Sequence, residues 1–142
     1  MALRTRIAGV ALLAALACAG GGSGDAAPAT PIGVVWQLER IQMMDDTEKR
    51  PADPAHYTLE LLPDGGAAVR ADCNRARGEY ELDGAQLRFG PLATTFAMCP
   101  PGSLADDYLR QLGIAASWMI VDGRLAIATA MDSSILYFAP AR

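Results

Sequence analysis

Apolar and polar side chains alternate along most of the chain after residue 34. Tyr57, Leu59 and Leu61 are separated by polar residues, a period of two that is typical of a strand with one buried face. The same pattern predicts further strands over residues 34–41, 67–72, 79–83, 87–89, 118–121, 125–129 and 135–138. Asp-Gly pairs stand between consecutive predicted strands at residues 64–65, 83–84 and 122–123. Because Asp-Gly favours the tight turns of β-hairpins, the sheet is predicted to be antiparallel.

One segment, residues 103–113, has the period of a helix instead. Leu104, Tyr108 and Leu112 recur every four residues and form an apolar stripe. Ser103 precedes the stripe and is the predicted N-cap, since its hydroxyl can accept a hydrogen bond from the first turn. The pattern as a whole predicts an α+β fold, a curved antiparallel sheet or partial β-barrel with one helix packed on it.

The first 17 residues are predicted to be a lipoprotein signal peptide. A short head with two arginines precedes an apolar run over residues 7–17, and small apolar residues stand directly before Cys18. A helix of eleven residues is about 16 Å long, roughly half the ~30 Å hydrocarbon core, so the run is too short to span a bilayer. Cleavage before Cys18 would leave it as a lipidated N-terminus. The alternative is a conventional export signal that is cleaved later, since Ala15 stands where a lipoprotein signal usually has Leu.

Residues 18–33 are predicted to be the lipidated N-terminus and a flexible tether, followed by one folded domain over residues 34–142. Residues 19–31 of this segment are rich in Gly, Ala, Pro, Ser and Thr, and 13 such residues reach roughly 20 Å. Ala19 gives no acidic retention signal after Cys18, so the expected location is the outer membrane of the cell envelope, facing the periplasm. The membrane is thus an expected partner through the N-terminal lipid.

The charge balance excludes nucleic acid as an expected partner. The chain has 12 basic and 16 acidic residues, and the signal peptide contains two of the basic residues and none of the acidic ones. A mature chain from Cys18 would therefore carry 10 basic and 16 acidic residues, a net charge near −6. With that net charge, the chain as a whole has no electrostatic attraction for nucleic acid or for anionic lipid headgroups.

The cysteine count predicts one disulfide. With Cys18 assigned to the lipid, Cys73 and Cys99 remain, and both would lie in an oxidising compartment. A bond between them would stabilise the fold by roughly 3.5 kcal/mol in the chain-entropy model, and their Cα atoms should lie about 4.4–6.8 Å apart. The alternative is two buried free thiols that act as small apolar side chains.

The central part of the chain resembles the META domain, the family of the HslJ-like heat-shock lipoproteins. The motifs that carry the resemblance are Cys73-Asn74, Gly78-Glu79-Tyr80, Leu87-Arg88-Phe89 and the segment from Thr95 to Cys99. The similarity extends over about residues 34–139. One departure is Phe96-Ala97-Met98, a stretch in which members often have a basic residue and a methionine. The resemblance implies a small barrel-like α+β domain, lipid-anchored or secreted and linked to stress responses. It implies no enzymatic activity.

Catalytic chemistry has few candidates in this sequence. Cys73 with His56, the only histidine, is a thiol nucleophile and base only if Cys73 is not oxidised. A redox role for Cys73 and Cys99 lacks the Cys-x-x-Cys spacing of thiol oxidoreductases. Asp45, Asp46 and the neighbouring Glu48 lack the regular spacing and central glycine of a calcium loop. The sequence therefore predicts no catalytic residue, no metal and no cofactor.

Asn74 and the arginines that follow it are the polar residues beside Cys73 whose roles can be predicted. Asn74 is predicted to cap the turn that leaves the strand. Arg75 and Arg77 are a possible anion site, but Asp72, Glu79 and Glu81 are near enough in sequence to pair with them. A salt-bridged surface is therefore the favoured prediction.

The sequence as a whole predicts a non-catalytic envelope lipoprotein that acts as a stress-related binding or structural module. Its expected partner is an envelope protein of unknown identity. Two alternatives from other classes remain open. One is a thiol or redox enzyme that uses Cys73 and Cys99, and the other is a small-ligand binder that uses the barrel mouth.

Overall fold

The structure of the protein, a computed structural model, describes residues 26–142. The predictions for the signal peptide and for Cys18 lie outside the described residues. Within residues 26–142 no helix is both long and apolar enough to cross a membrane.

Ten strands, one α-helix and two short 3-10 helices make up the described residues. The strands are β1 Val35–Met43, β2 Glu48–Lys49, β3 Tyr57–Leu61, β4 Gly66–Ala71, β5 Asn74–Asp83, β6 Gln86–Phe89, β7 Ala93–Thr94, β8 Ala115–Val121, β9 Arg124–Thr129 and β10 Ser134–Pro140. The helix α1 is Ala105–Gly113, and the 3-10 helices are Pro54–His56 and Ala130–Asp132.

Eight of the strands close into an antiparallel β-barrel. Their order around the barrel is β1, β3, β4, β5, β6, β8, β9 and β10, and β10 pairs again with β1. The predicted antiparallel sheet with one helix is confirmed, but the barrel is closed rather than partial. The closing pair runs from Trp36 opposite Pro140 to Met43 opposite Ser134. It joins strands about 100 residues apart in sequence, which a local pattern of alternation does not specify.

The strand directions give the barrel two different ends. The three Asp-Gly turns, the entry into β1 and the exit from β10 share one end, which we call the turn end. The opposite end, which we call the helix end, holds the β4–β5 turn, the β9–β10 turn and the connection that contains α1. The N-terminal segment reaches the turn end, where a Cβ on Gly123 would lie 3.1 Å from Ala27 Cβ.

The barrel interior is filled with apolar side chains. Trp36, Leu59, Ile127 and Leu136 are among those with no exposed surface. The indole Nε1 of Trp36 donates a 2.9 Å hydrogen bond to the backbone oxygen of Pro31. This bond satisfies the polar end of a buried ring and joins the segment before β1 to the core.

The helix α1 packs against the helix end of the barrel. Tyr108 and Leu112 are fully buried, and the Tyr108 ring lies 6.0 Å from the ring of Tyr57 and 6.2 Å from that of Phe138. The predicted apolar stripe therefore faces the core. The helix begins one residue later than predicted, with Leu104 rather than Ser103 as its N-cap, but the Ser103 hydroxyl still accepts the Ala105 N–H at 3.2 Å. The Leu104 N–H donates to the Tyr57 hydroxyl at 2.9 Å, so β3 also holds the start of the helix.

The Tyr108 hydroxyl is a buried polar group without a hydrogen-bond partner among the described residues. Burial raises the pKa of this phenol well above its usual value near 10.0. The Tyr57 hydroxyl, in contrast, accepts the Leu104 N–H at 2.9 Å. The two tyrosines therefore form a matched pair for measuring what a buried hydroxyl contributes to stability.

We expect Tyr108→Phe to leave the free energy of unfolding unchanged or to raise it by about 1 kcal/mol, whereas Tyr57→Phe should lower it by roughly 1 kcal/mol. Urea denaturation of the two variants measures the difference. The advantage of Tyr108→Phe should grow above pH 10, because the unfolded phenol ionises there while the buried one stays neutral. Equal losses of stability in both variants would contradict this account.

Candidate functional site

The structure brings Cys73 and Cys99 together at the helix end. Cys73 lies in the tight turn Asp72–Cys73, between the paired residues Ala71 and Asn74. Cys99 lies in the loop between β7 and α1. The two sulfurs are joined in a disulfide, and the Cα atoms lie 5.5 Å apart, inside the expected range. The bond ties the β4–β5 turn to the approach of the helix.

Asn74 is the hydrogen-bonding centre of this region. Its side chain does not cap the turn as predicted, because Asn74 is the first residue of β5 and its side chain is buried against the loop of residues 95–99. Its Oδ1 accepts the Ala97 N–H at 2.7 Å, and its Nδ2 donates to the Ala97 oxygen at 3.1 Å. Residues 95–99 thereby form a fixed loop, which we call the clamped loop.

Thr95 and Cys99 complete the attachment of the clamped loop. The Thr95 hydroxyl donates to Asn74 Oδ1 at 3.0 Å and accepts the Arg75 N–H at 3.0 Å. The Asn74 Nδ2 also lies 3.5 Å from the Cys99 sulfur. The loop is therefore held by a covalent bond and by hydrogen bonds to both its backbone and its side chains.

Gly78 and Tyr80, the other two residues of the family motif, have contacts that maintain the fold. A Cβ on Gly78 would lie 2.8 Å from the Pro91 oxygen, so only glycine lets the chain after β6 cross β5 this closely. The Tyr80 hydroxyl donates a 2.7 Å hydrogen bond to the Leu62 oxygen. Burial, and next the charge of Asp64, raise the pKa of Tyr80. Gly78 and Tyr80 thus hold β5 against its neighbours.

The clamped loop presents two large apolar side chains to solvent. Phe96 is 95% exposed and Met98 is 99% exposed, on either side of the clamped Ala97. Met44, Ile114 and Met131 are also exposed at the helix end. We call these five residues the apolar rim. Phe96 also borders a cavity of about 500 Å³ together with residues of α1, among them Asp106 and Arg110.

Met131 has a strained backbone in addition to an exposed side chain. Its φ is 56°, in the left-handed region, and the next residue, Asp132, has a φ of 52°. The turn is held on both sides, because the Ala130 N–H bonds to the Ile114 oxygen at 2.8 Å and the Met44 N–H bonds to the Ser133 oxygen at 3.2 Å. These bonds place the backbones of Ile114 and Met44 beside the turn that contains Met131.

A second apolar feature lies on the outer wall of the barrel. Ala126 and Ala128 on β9 form the floor of a groove of about 520 Å³, with Met119 on one side and Tyr137 on the other. The groove is on the outside of the sheet. The interior at the barrel mouth, which the sequence offered as a ligand site, is occupied by packed core side chains such as Trp36.

The candidate thiol chemistry does not assemble in this structure. His56 lies 3.6 Å from carboxylate oxygens of both Asp53 and Asp72, and the Cys73 sulfur is bonded to Cys99. No group of three or more His, Cys, Asp or Glu side chains in residues 26–142 is placed to hold a metal ion.

The predicted salt-bridged surface around Arg75 and Arg77 is wrong. Among the described residues, neither arginine has a carboxylate oxygen within 4.0 Å. Asp72 faces His56 instead. Sequence proximity suggested these pairs, but the register of β5 does not bring the charged groups into contact.

Comparison with known proteins identifies the family and the fold. The family model of the META domain matches residues 30–142. No curated protein sequence matches the chain. An NMR structure of a protein from Burkholderia xenovorans superposes with a TM-score of 0.65 at 20% identity, covering 98% of this chain and 99% of that one.

Two further solved structures share the architecture. A crystal structure of a DUF4847 family protein from Bacteroides vulgatus has a TM-score of 0.56 at 11% identity, over 77% of this chain and 93% of that one. A second NMR structure has a TM-score of 0.54 at 21% identity, over 73% and 86% of the two chains. At these identities the likeness establishes the fold alone.

Proposed function

The chain belongs to the META-domain family, and we propose that it is a non-catalytic envelope lipoprotein whose barrel binds another envelope protein through the apolar rim. The observation that carries this proposal is the exposure of Phe96 and Met98 on the clamped loop. A partner protein that buried both side chains would recover the free energy that their exposure to water costs.

The chemistry of the rim suits recognition of a protein. Aromatic residues and methionine are enriched at protein interfaces, and unbranched methionine side chains adapt to irregular partner surfaces. Single exposed apolar residues are common on any protein, but five at one end of a small barrel form a candidate interface. The rim therefore supports a binding role better than a purely structural one.

The clamped loop also reduces the entropic cost of binding. Asn74 fixes the backbone of Ala97 on both its N–H and its oxygen, and the disulfide fixes Cys99. A loop that is already ordered loses little conformational entropy when a partner binds, so more of the contact energy appears as affinity.

The proposed lipid anchor places the rim away from the membrane. Cys18 stands eight residues before Ala26, and a Gly- and Ser-rich linker of that length spans roughly 16 Å. The described chain begins near the turn end, where Ala27 lies beside Gly123. A barrel tethered at that end would direct its helix end toward the periplasm and toward partners there. The family resemblance adds a role in envelope stress to this proposal.

A photo-crosslinking experiment in intact envelopes tests the proposal. We expect Phe96→Ser combined with Met98→Gln to reduce a specific crosslinked protein adduct by roughly tenfold or more, as for the loss of interface anchors. Met119→Gln on the outer wall is the matched control, because Met119 is also exposed but lies outside the rim. The melting temperatures should stay close to that of the unmodified protein, since exposed side chains contribute little to stability. Adducts that are equally abundant in all three proteins would reject the rim as the interface.

A further inference from the structure

Three arginines form a cluster on the outer wall of β4 and β5. Arg70 on β4 lies directly opposite Arg75 on β5, and Arg77 stands diagonally across from Arg70. Their side chains point outward, because the alternate residues Val69, Ala71 and Ala76 are buried. Like charges that face each other across antiparallel strands destabilise a sheet. The placement therefore calls for a compensating interaction.

That compensation does not come from the described part of the chain. None of the three arginines has a carboxylate oxygen within 4.0 Å there. The basic residues that do have such a partner are Arg40, Lys49, Arg50, Arg110 and Arg124. The chain has an excess of acidic residues, with a net charge of −4. Unpaired arginines grouped on such a chain leave a local site of positive charge.

The cluster lines a concave surface as well as carrying charge. A cavity of about 370 Å³ is bordered by Arg70, Arg75 and Arg77 and by Thr58 and Glu60 of β3. The Thr58 hydroxyl adds a neutral hydrogen-bond donor. Glu60 adds one negative charge without an ion pair to any of the arginines, so the cavity keeps a formal charge of +2.

We propose that this arginine cluster is a binding site for a phosphate group. A phosphate monoester carries a charge of about −1.5 to −2 and three acceptor oxygens, which matches both the charge and the donors of the site. Guanidinium groups bind phosphate oxygens through paired, charge-assisted hydrogen bonds. The Arg70 Nε donates a 3.3 Å hydrogen bond to the backbone oxygen of Asp72, which leaves the terminal guanidinium nitrogens of this cavity-lining residue to bind a ligand.

The proposal is independent of the apolar rim and of the lipid anchor. The phosphate could belong to a soluble compound or to a lipid headgroup, and both present the same chemistry to the arginines. Inorganic pyrophosphate and short-chain dihexanoyl phosphatidic acid are probes for these two sources. Citrate is the matching carboxylate, and dihexanoyl phosphatidylcholine provides a control for binding of the acyl chains.

Thermal unfolding of the purified mature protein at low ionic strength tests the site. At a probe concentration about 100-fold above its Kd, the melting temperature should rise by roughly 5–10 °C. Arg75→Gln combined with Arg77→Gln should abolish the rise. Without any probe this variant should melt at the same temperature as the unmodified protein or slightly higher, because the repulsion from Arg70 is relieved.

The matched control is Arg88→Gln combined with Arg142→Gln, which removes two exposed arginines outside the cluster. This control should show the same probe-induced rise in melting temperature, with at most a small change in affinity. A rise with pyrophosphate alone assigns the site to soluble phosphates, and a rise with phosphatidic acid alone assigns it to headgroups. The proposal fails if neither phosphate probe raises the melting temperature, if citrate or phosphatidylcholine does so equally, or if both double variants respond alike.

Discussion

Removal of the Cys73–Cys99 bond is expected to lower the free energy of unfolding by about 3.5 kcal/mol. The bond closes a loop with a sequence separation of 26 residues, and the chain-entropy model gives this value for the freedom that the unfolded chain regains. The loss would be a large share of the ~5–15 kcal/mol that stabilises a typical domain. The reduced domain should therefore remain folded at room temperature but melt well below the oxidised one.

Urea denaturation of the Cys73→Ser and Cys99→Ser double variant measures this loss. Mass spectrometry without reductant should find the unmodified chain two hydrogens lighter than the reduced chain. A reductant should lower the stability of the unmodified protein and leave the double variant unchanged, which separates the bond from general effects of the reagent. A chain with two titratable thiols when purified from the envelope would contradict the prediction and strengthen the thiol-enzyme alternative.

The parts of the fold that depend on neighbouring residues follow from the sequence. An Asp-Gly pair and the alternation on either side of it specify a hairpin within about 15 residues, as at Asp122-Gly123 between β8 and β9. Gly123 has a φ of 73° and Asp122 a φ of 52°, which are the left-handed values that such turns require. Tyr108 and Leu112 were likewise predictable, because their spacing on α1 leaves only one face apolar.

Features that join distant residues do not follow from local pattern. The closure of the barrel depends on the pairing of β1 with β10, and nothing in either strand identifies the other. Asn74 appears in sequence as a turn residue, yet its side chain binds Ala97, 23 residues away. The predicted ion pairs of Arg75 and Arg77 are wrong for the opposite reason. The carboxylates that are close to these arginines in sequence do not contact them in the structure.

The apolar rim was missed because hydrophobicity alone does not distinguish a core residue from an exposed one. Phe96 and Met98 look like core residues in sequence, and only the clamped loop shows that both point to solvent. One signal was available: both flank Ala97 without the alternation that the strands show. A short apolar segment that lacks this alternation and lies between two predicted elements is as compatible with an exposed loop as with the core.

Cys18→Ser is expected to abolish membrane attachment of the protein or to stop its processing. Each buried acyl methylene contributes about 0.8 kcal/mol to anchoring, so the several chains of a lipidated cysteine hold a protein on the membrane almost irreversibly. Serine at this position has no thiol to accept the lipid, and the membrane-bound fraction should fall to background. The proposed alternative, a conventional export signal, predicts instead that the unmodified protein is already free in the periplasm.

Fractionation of cells that produce the unmodified and Cys18→Ser proteins distinguishes these outcomes, with metabolic labelling by a radioactive fatty acid as a direct readout of the lipid. The Cys73→Ser and Cys99→Ser double variant is the control, because it also exchanges sulfur for oxygen but leaves Cys18 intact and should stay on the membrane. The purified Cys18→Ser protein should retain the partner binding of the apolar rim, since residue 18 lies outside the domain that forms it. Unchanged fractionation and processing of Cys18→Ser would overturn the proposed lipid anchor and the orientation inferred from it. The apolar rim would not be affected by that result, because the crosslinking experiment tests it separately.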